Sequence, residues 1–100
     1  MAPIDNPQLE TRRFVVSGRV QGVGFRWYVE REANSLGVWG WVRNNFDGSV
    51  EVLATGTREQ LRQLRIKLQQ GPRAARVDDV DESDARPVEG LKTFRIEGAW

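Results

Sequence analysis

The chain contains no cysteine and no histidine. Disulfides, thiolate nucleophiles, phosphohistidine and the usual zinc ligands are thereby excluded, and any metal would have to rest on carboxylates alone. Excess charge is missing too: 15 Lys and Arg against 14 Asp and Glu leave a formal net charge of +1. Dedicated nucleic-acid and anionic-membrane binders concentrate positive charge, so the composition argues against both. No run is long and apolar enough to cross a bilayer, and Met1 to Glu10 lacks the apolar centre of a secretory signal, so a cytoplasmic location is expected. What remains for chemistry is Arg, Lys, Asp, Glu, Ser, Thr, Asn, Tyr and the backbone amides. That set favours electrostatics and positioning over covalent catalysis.

With 100 residues, 39% apolar and 29% charged, the composition is that of one ordinary globular domain. Residues 1 to about 11, with Pro3 and Pro7 among polar neighbours, read as a disordered leader, and residues 12 to 98 as the domain. Arg12 to Ser17 is strand-like. Phe25, Tyr28, Val29, Ala33 and Leu36 recur every three or four positions and predict an amphipathic helix stopped by Gly37. Val38 to Asn44 and Ser49 to Thr55 are rich in strand formers, with a hairpin signal at Asp47-Gly48. Thr57 to Gln60 has capping-box spacing and opens a second helix with Leu61, Leu64 and Leu68 on one side, ended by Gly71-Pro72. Two further strands are expected around Arg76 to Glu82 and Thr93 to Glu97.

The resulting order is βαββαβ with a short extra C-terminal strand. It predicts an α+β fold: a two-layer ferredoxin-like sandwich whose antiparallel or mixed sheet is covered on one face by two helices. Alternation puts Phe14, Val16, Val42, Val50, Val52, Phe94 and Ile96 on the covered face. Trp39, Trp41, Val15 and Leu53 fall on the open face and predict an apolar surface cluster able to support weak self-association. Aromatics on such a face also raise single-stranded nucleic-acid binding as an alternative, although the neighbouring strands carry no aromatic platform there.

Gly18 to Arg26, Gly-Arg-Val-Gln-Gly-Val-Gly-Phe-Arg, joins the first strand to the first helix. Three glycines at such an entry can leave the amides of Gln21, Gly22, Val23, Gly24 and Phe25 turned with the positive helix end toward one point, which suits an anion. Arg26 follows in the first turn, and its planar fork can grip two phosphate or carboxylate oxygens. A plain glycine-rich connection with a solvent-facing arginine accounts equally for the spacing. A nucleotide loop does not, because no Gly-Lys-Ser/Thr ending and no dinucleotide glycine spacing is present, and no cofactor is expected. A strand-helix-strand crossover makes the first two strands parallel, so Arg26 and Asn44 should face a shared cleft.

These residues resemble the acylphosphatase family, whose loop has the form Gly-x-Val-Gln-Gly-Val-x-Phe-Arg. A second family motif is matched by Gly37, Gly40, Val42, Asn44, Asp47, Gly48, Val50 and Glu51, and the similarity runs from about Arg12 to Gly98. Asn45-Phe46 departs from the lead into Asp-Gly that is frequent in relatives. The resemblance implies hydrolysis of acyl phosphates to a carboxylate and inorganic phosphate, with the phosphoryl group on Arg26 and the attacking water oriented by Asn44. The expected partner is a small acyl phosphate, met by a monomer without nucleic acid, membrane or metal. A non-catalytic anion-binding module on the same fold stays open as the alternative.

Overall fold

The computed structural model describes residues 8–98. Of the expected leader, residues 1–7 lie outside the described residues, while Glu10 and Thr11 already belong to the first strand. The elements run β1 (Glu10–Arg19), α1 (Phe25–Leu36), β2 (Trp39–Asn44), β3 (Val50–Gly56), α2 (Arg58–Gln70), β4 (Arg76–Asp84) and β5 (Phe94–Ile96). They form one five-stranded sheet in the order β4-β1-β3-β2-β5. Strand β1 is longer than Arg12 to Ser17 because it is paired on both sides, with β3 from Glu10 to Val16 and with β4 from Arg12 to Arg19. Both β1 and β2 run antiparallel to β3, so they are parallel to each other and end at the same sheet edge. The short β5 adds a parallel edge beside β2.

Both helices cover one face. Phe25, Val29 and Ala33 of α1 are buried at four-residue spacing, and Leu61, Leu64 and Leu68 of α2 are buried on its inner side. They close over Phe14, Val16, Val42, Val50, Val52 and Phe94, with Ile96 partly buried at the margin. Helix α2 starts with the expected capping box: Thr57 Oγ1 accepts from the Gln60 amide and the Gln60 side chain accepts from the Thr57 amide. Gly40 in β2 marks a close approach, since a Cβ there would lie 1.8 Å from the Leu53 carbonyl oxygen on β3. Among the described residues no helix is long and apolar enough to cross a membrane.

The open face differs from expectation at one residue. Trp39, Trp41 and Val15 are half-buried, but Leu53 is only 5% exposed and is no part of the surface. Arg13 and Trp41 stand directly across from it on the two flanking strands. The Arg43 guanidinium lies 4.7 Å from the Trp41 ring centre, and Glu51 bridges Arg13 at 2.8 Å and Arg43 at 3.2 Å. Charged ends thus pair across the strands beside the apolar patch, and one of them covers the Trp41 ring.

Candidate active site

Residues 21–24 form an irregular turn between the end of β1 and α1. Gly22 and Gly24 have φ of 73° and 78°, and no atom lies within 4 Å of where a Cβ would project from either. The left-handed backbone therefore opens onto free space on that side, which is where a ligand can approach main-chain amides. Gly24 is also the N-cap of α1, and among the described residues no side chain caps this helix and no acidic residue lies in its first turn. The contrast with α2, capped by Thr57 and carrying Glu59 in its first turn, is direct. The N-terminus of α1 keeps its donor groups and its partial positive charge for something outside the helix.

One cavity of about 260 Å³ is lined by Val20, Gly22, Gly24, Phe25, Arg26, Trp27 and Asn44. It is slightly smaller than the roughly 300 to 1,000 Å³ common for larger organic ligands, and so suits a small substrate. Asn44 reaches it from the end of β2, and Arg26 from the first turn of α1, which follows the end of the parallel strand β1. Gly22, Gly24 and Phe25 line it with them, whereas Gln21 and Val23 of the same loop do not. Val23 packs against the core. The Gln21 side chain spans to the opposite wall: its Nε2 donates to the carbonyl oxygens of Asn45 at 2.7 Å and Ser49 at 2.8 Å.

These two acceptors belong to the turn that follows Asn44. Within it the Asn45 amide donates to Ser49 O at 2.9 Å, and Asp47 Oδ1 accepts from the Ser49 amide at 2.9 Å and from its hydroxyl at 2.6 Å. The bonds from Ser49 hold the Asp47 carboxyl below the usual carboxylate range. The loop before Arg26 and the turn after Asn44 are thereby tied together through one carboxamide.

Comparison with known proteins bears on the same stretch of chain. The acylphosphatase family model matches residues 12–96. The chain is 62% identical over 91 residues to an acylphosphatase of Koribacter versatilis, an alignment spanning 91% of this chain and 83% of the relative. An acylphosphatase of Pasteurella multocida is 52% identical over 85 residues, 85% of this chain and 94% of that protein. The chain also superposes on the crystal structure of acylphosphatase from Bacillus subtilis with a TM-score of 0.84 at 38% identity, covering 91% of this chain and all of that one. The chain belongs to the acylphosphatase family. The ferredoxin-like fold expected from the order of elements is that of its structural neighbours.

For an acylphosphatase of this size the sequence pointed to most of the cavity wall but missed two of its residues. Val20 and Trp27 line it as well. Val20 is 1% exposed and reads as core, so nothing in its pattern distinguishes it. Trp27 carried a signal that went unused: it stands off the buried Phe25, Val29, Ala33 stripe, directly after Arg26, where a solvent-facing helix position would ordinarily hold a polar residue.

Proposed function

We propose a division of labour for the acyl phosphate hydrolysis that family membership assigns to this enzyme. Arg26 and the amides of the Gln21 to Phe25 loop, of which Gly22, Gly24 and Phe25 line the cavity, bind the phosphoryl group, and Asn44 orients the water that attacks phosphorus. The observation that carries the reading is that Arg26, Asn44, Gly22 and Gly24 line a single cavity. A guanidinium and a ring of donor amides supply charge stabilisation already in place before the reaction, which costs no reorganisation in the transition state. Asn44 offers two donor hydrogens and an acceptor oxygen, enough to fix a water but not to take its proton.

The bookkeeping of the step then leads to the substrate. The water oxygen forms a bond to phosphorus as the bond from phosphorus to the acyl oxygen breaks, and that oxygen leaves with its electron pair as a carboxylate. One water hydrogen stays on the new hydroxyl, and the other passes to a phosphoryl oxygen, so the product is dihydrogen phosphate. A carboxylate is a good leaving group, so positioning and electrostatics suffice. The enzyme acts as a cytoplasmic monomer on free, small acyl phosphates.

Phosphate release from acetyl phosphate tests the assignment. Arg26→Ala should lower turnover on the order of 100-fold or more and weaken competitive inhibition by inorganic phosphate. Asn44→Ala should depress turnover while leaving the phosphate inhibition constant in place. Normal rates in the Asn44 variant would remove its role, and a pH-rate profile governed by a protein carboxylate would contradict proton transfer to the substrate.

A further inference from the structure

The start of α1 gives Gly24, Phe25 and Arg26 to the cavity wall, yet Gly24 stands at its N-cap and no side chain among the described residues caps it. A helix end of this kind frays unless contacts from outside the helix fix it. Such contacts come from the C-terminal end of α2. The Tyr28 hydroxyl donates to the Lys67 carbonyl oxygen at 2.8 Å. Gly71, the residue after α2, packs so closely on Phe25 that a Cβ there would stand 3.2 Å from its Cε2. The Phe25 and Tyr28 rings in turn lie 6.0 Å apart, tilted at 55°.

Tyr28 is placed to act on the whole first turn. Its amide donates to the Gly24 carbonyl oxygen at 3.1 Å, the bond that closes that turn around Phe25, Arg26 and Trp27. Its side chain leaves the same residue for α2, so backbone and hydroxyl together fix the far end of the turn. The Lys67 carbonyl does not depend on this bond, because it also accepts from the Gly71 amide at 2.9 Å. What the hydroxyl decides is where the start of α1 stands against α2. Burial first, and Glu32 second, push the Tyr28 hydroxyl above its ordinary pKa and keep it a donor well beyond neutral pH.

We propose that Tyr28 is a positioning residue for phosphoryl binding: its bond to the Lys67 carbonyl holds the first turn of α1 in the orientation that presents Arg26 and the loop amides to the substrate. The proposal rests on the phosphoryl-binding assignment above and adds to it a residue outside the lining of the Arg26 and Asn44 cavity. Without the bond the turn samples orientations in which its donors no longer converge, and apparent affinity falls with the fraction of molecules still competent. The net worth of one hydrogen bond, about tenfold in an equilibrium constant, sets the ceiling of the effect.

Tyr28→Phe removes the hydroxyl and keeps the ring. Inhibition of acetyl phosphate hydrolysis by inorganic phosphate should weaken about three- to tenfold, with kcat/KM falling in step. Tyr28→Ala, which loses the ring contact with Phe25 as well, should weaken it further. Thr57→Ala is the control for stability alone: it strips the cap from the other end of α2, which urea unfolding will register, and should leave phosphate inhibition at the wild-type value. A phosphate inhibition constant within about twofold of wild type in Tyr28→Phe, or an equal shift in Thr57→Ala, would overturn the role. Unchanged phosphate inhibition in Arg26→Ala would instead overturn the phosphoryl-binding assignment, a failure read from a different variant.

Discussion

At the scale of single residues, Gln21 shows how one side chain holds two distant walls in register. Its amide nitrogen has two hydrogens, and both are spent on carbonyl oxygens of the turn behind Asn44, at 2.7 and 2.8 Å. Asn45 and Ser49 lie 24 and 28 positions further along the chain. Removing the donor leaves two part-buried acceptors with less than their full complement, at about 0.5 to 1.5 kcal/mol each. Gln21→Ala should therefore lose about 1 to 3 kcal/mol in urea unfolding. It should also lower kcat more than it changes phosphate inhibition, because the lost tie braces the turn that follows Asn44. Stability and kcat both equal to wild type would show that the turn stands without this tie. Gln21 was singled out from the motif for its main-chain amide. That its side chain does the bracing was not legible, since a glutamine side chain has many rotamers and only the folded turn supplies its acceptors.

The two helices are opposite solutions to the same end problem. Each leaves its first amides without helical partners. Helix α2 satisfies them internally with the Thr57 and Gln60 box and adds Glu59, while α1 starts on bare glycine and turns its N-terminus to the cavity. Glu59 accepts from Arg62 at 2.7 and 3.0 Å and from Gln63 at 2.9 Å. The Arg62 bonds first and the Gln63 bond second pull its pKa from 4.5 to about 2. A depressed carboxyl contributes stability that is present above its unfolded value and lost as pH falls through its folded one, so the window lies between 4.5 and about 2. Glu59→Gln should flatten the fall in stability across that window, read as the slope of urea midpoint against pH. The site is fully exposed, so added salt should shrink the effect. Identical slopes would mean that the pair is not held in solution. This device was readable in advance, since the box and the charged pair are local, three or four residues apart.

At the scale of the whole molecule, the sheet has one face given to the helices and one closed by its own side chains. The latter carries Glu51, 8% exposed, between Arg13 and Arg43, with Arg43 in turn covering Trp41. A surface built this way presents no row of bare rings on which successive bases can stack. Fluorescence anisotropy with a labelled single-stranded RNA should show no saturable binding that weakens with salt, whereas a salt-dependent isotherm would reopen that reading of the tryptophans. The arginines of α2 are paired with carboxylates: Arg58 with Glu10, Arg62 with Glu59, and Arg65 with Glu82 on β4.

The order of elements, the inner faces of Phe14, Val16, Val42, Val50 and Val52, the stop at Gly37 and the capping box all follow from patterns a few residues long. Their physics is local: pleat alternation, helical periodicity and the steric freedom of glycine act within a turn or a strand, and are written wherever the residues stand in line. Convergence is another matter. That β1 and β2 end at one edge could be argued from the crossover rule, but the shared cavity of Arg26 and Asn44 and the burial of Leu53 between Trp41 and Arg13 come from contacts between segments far apart in the chain. Such contacts depend on which side chains the completed sheet sets opposite one another, and no stretch of sequence carries that by itself because the partner that decides each position is contributed by another strand or turn.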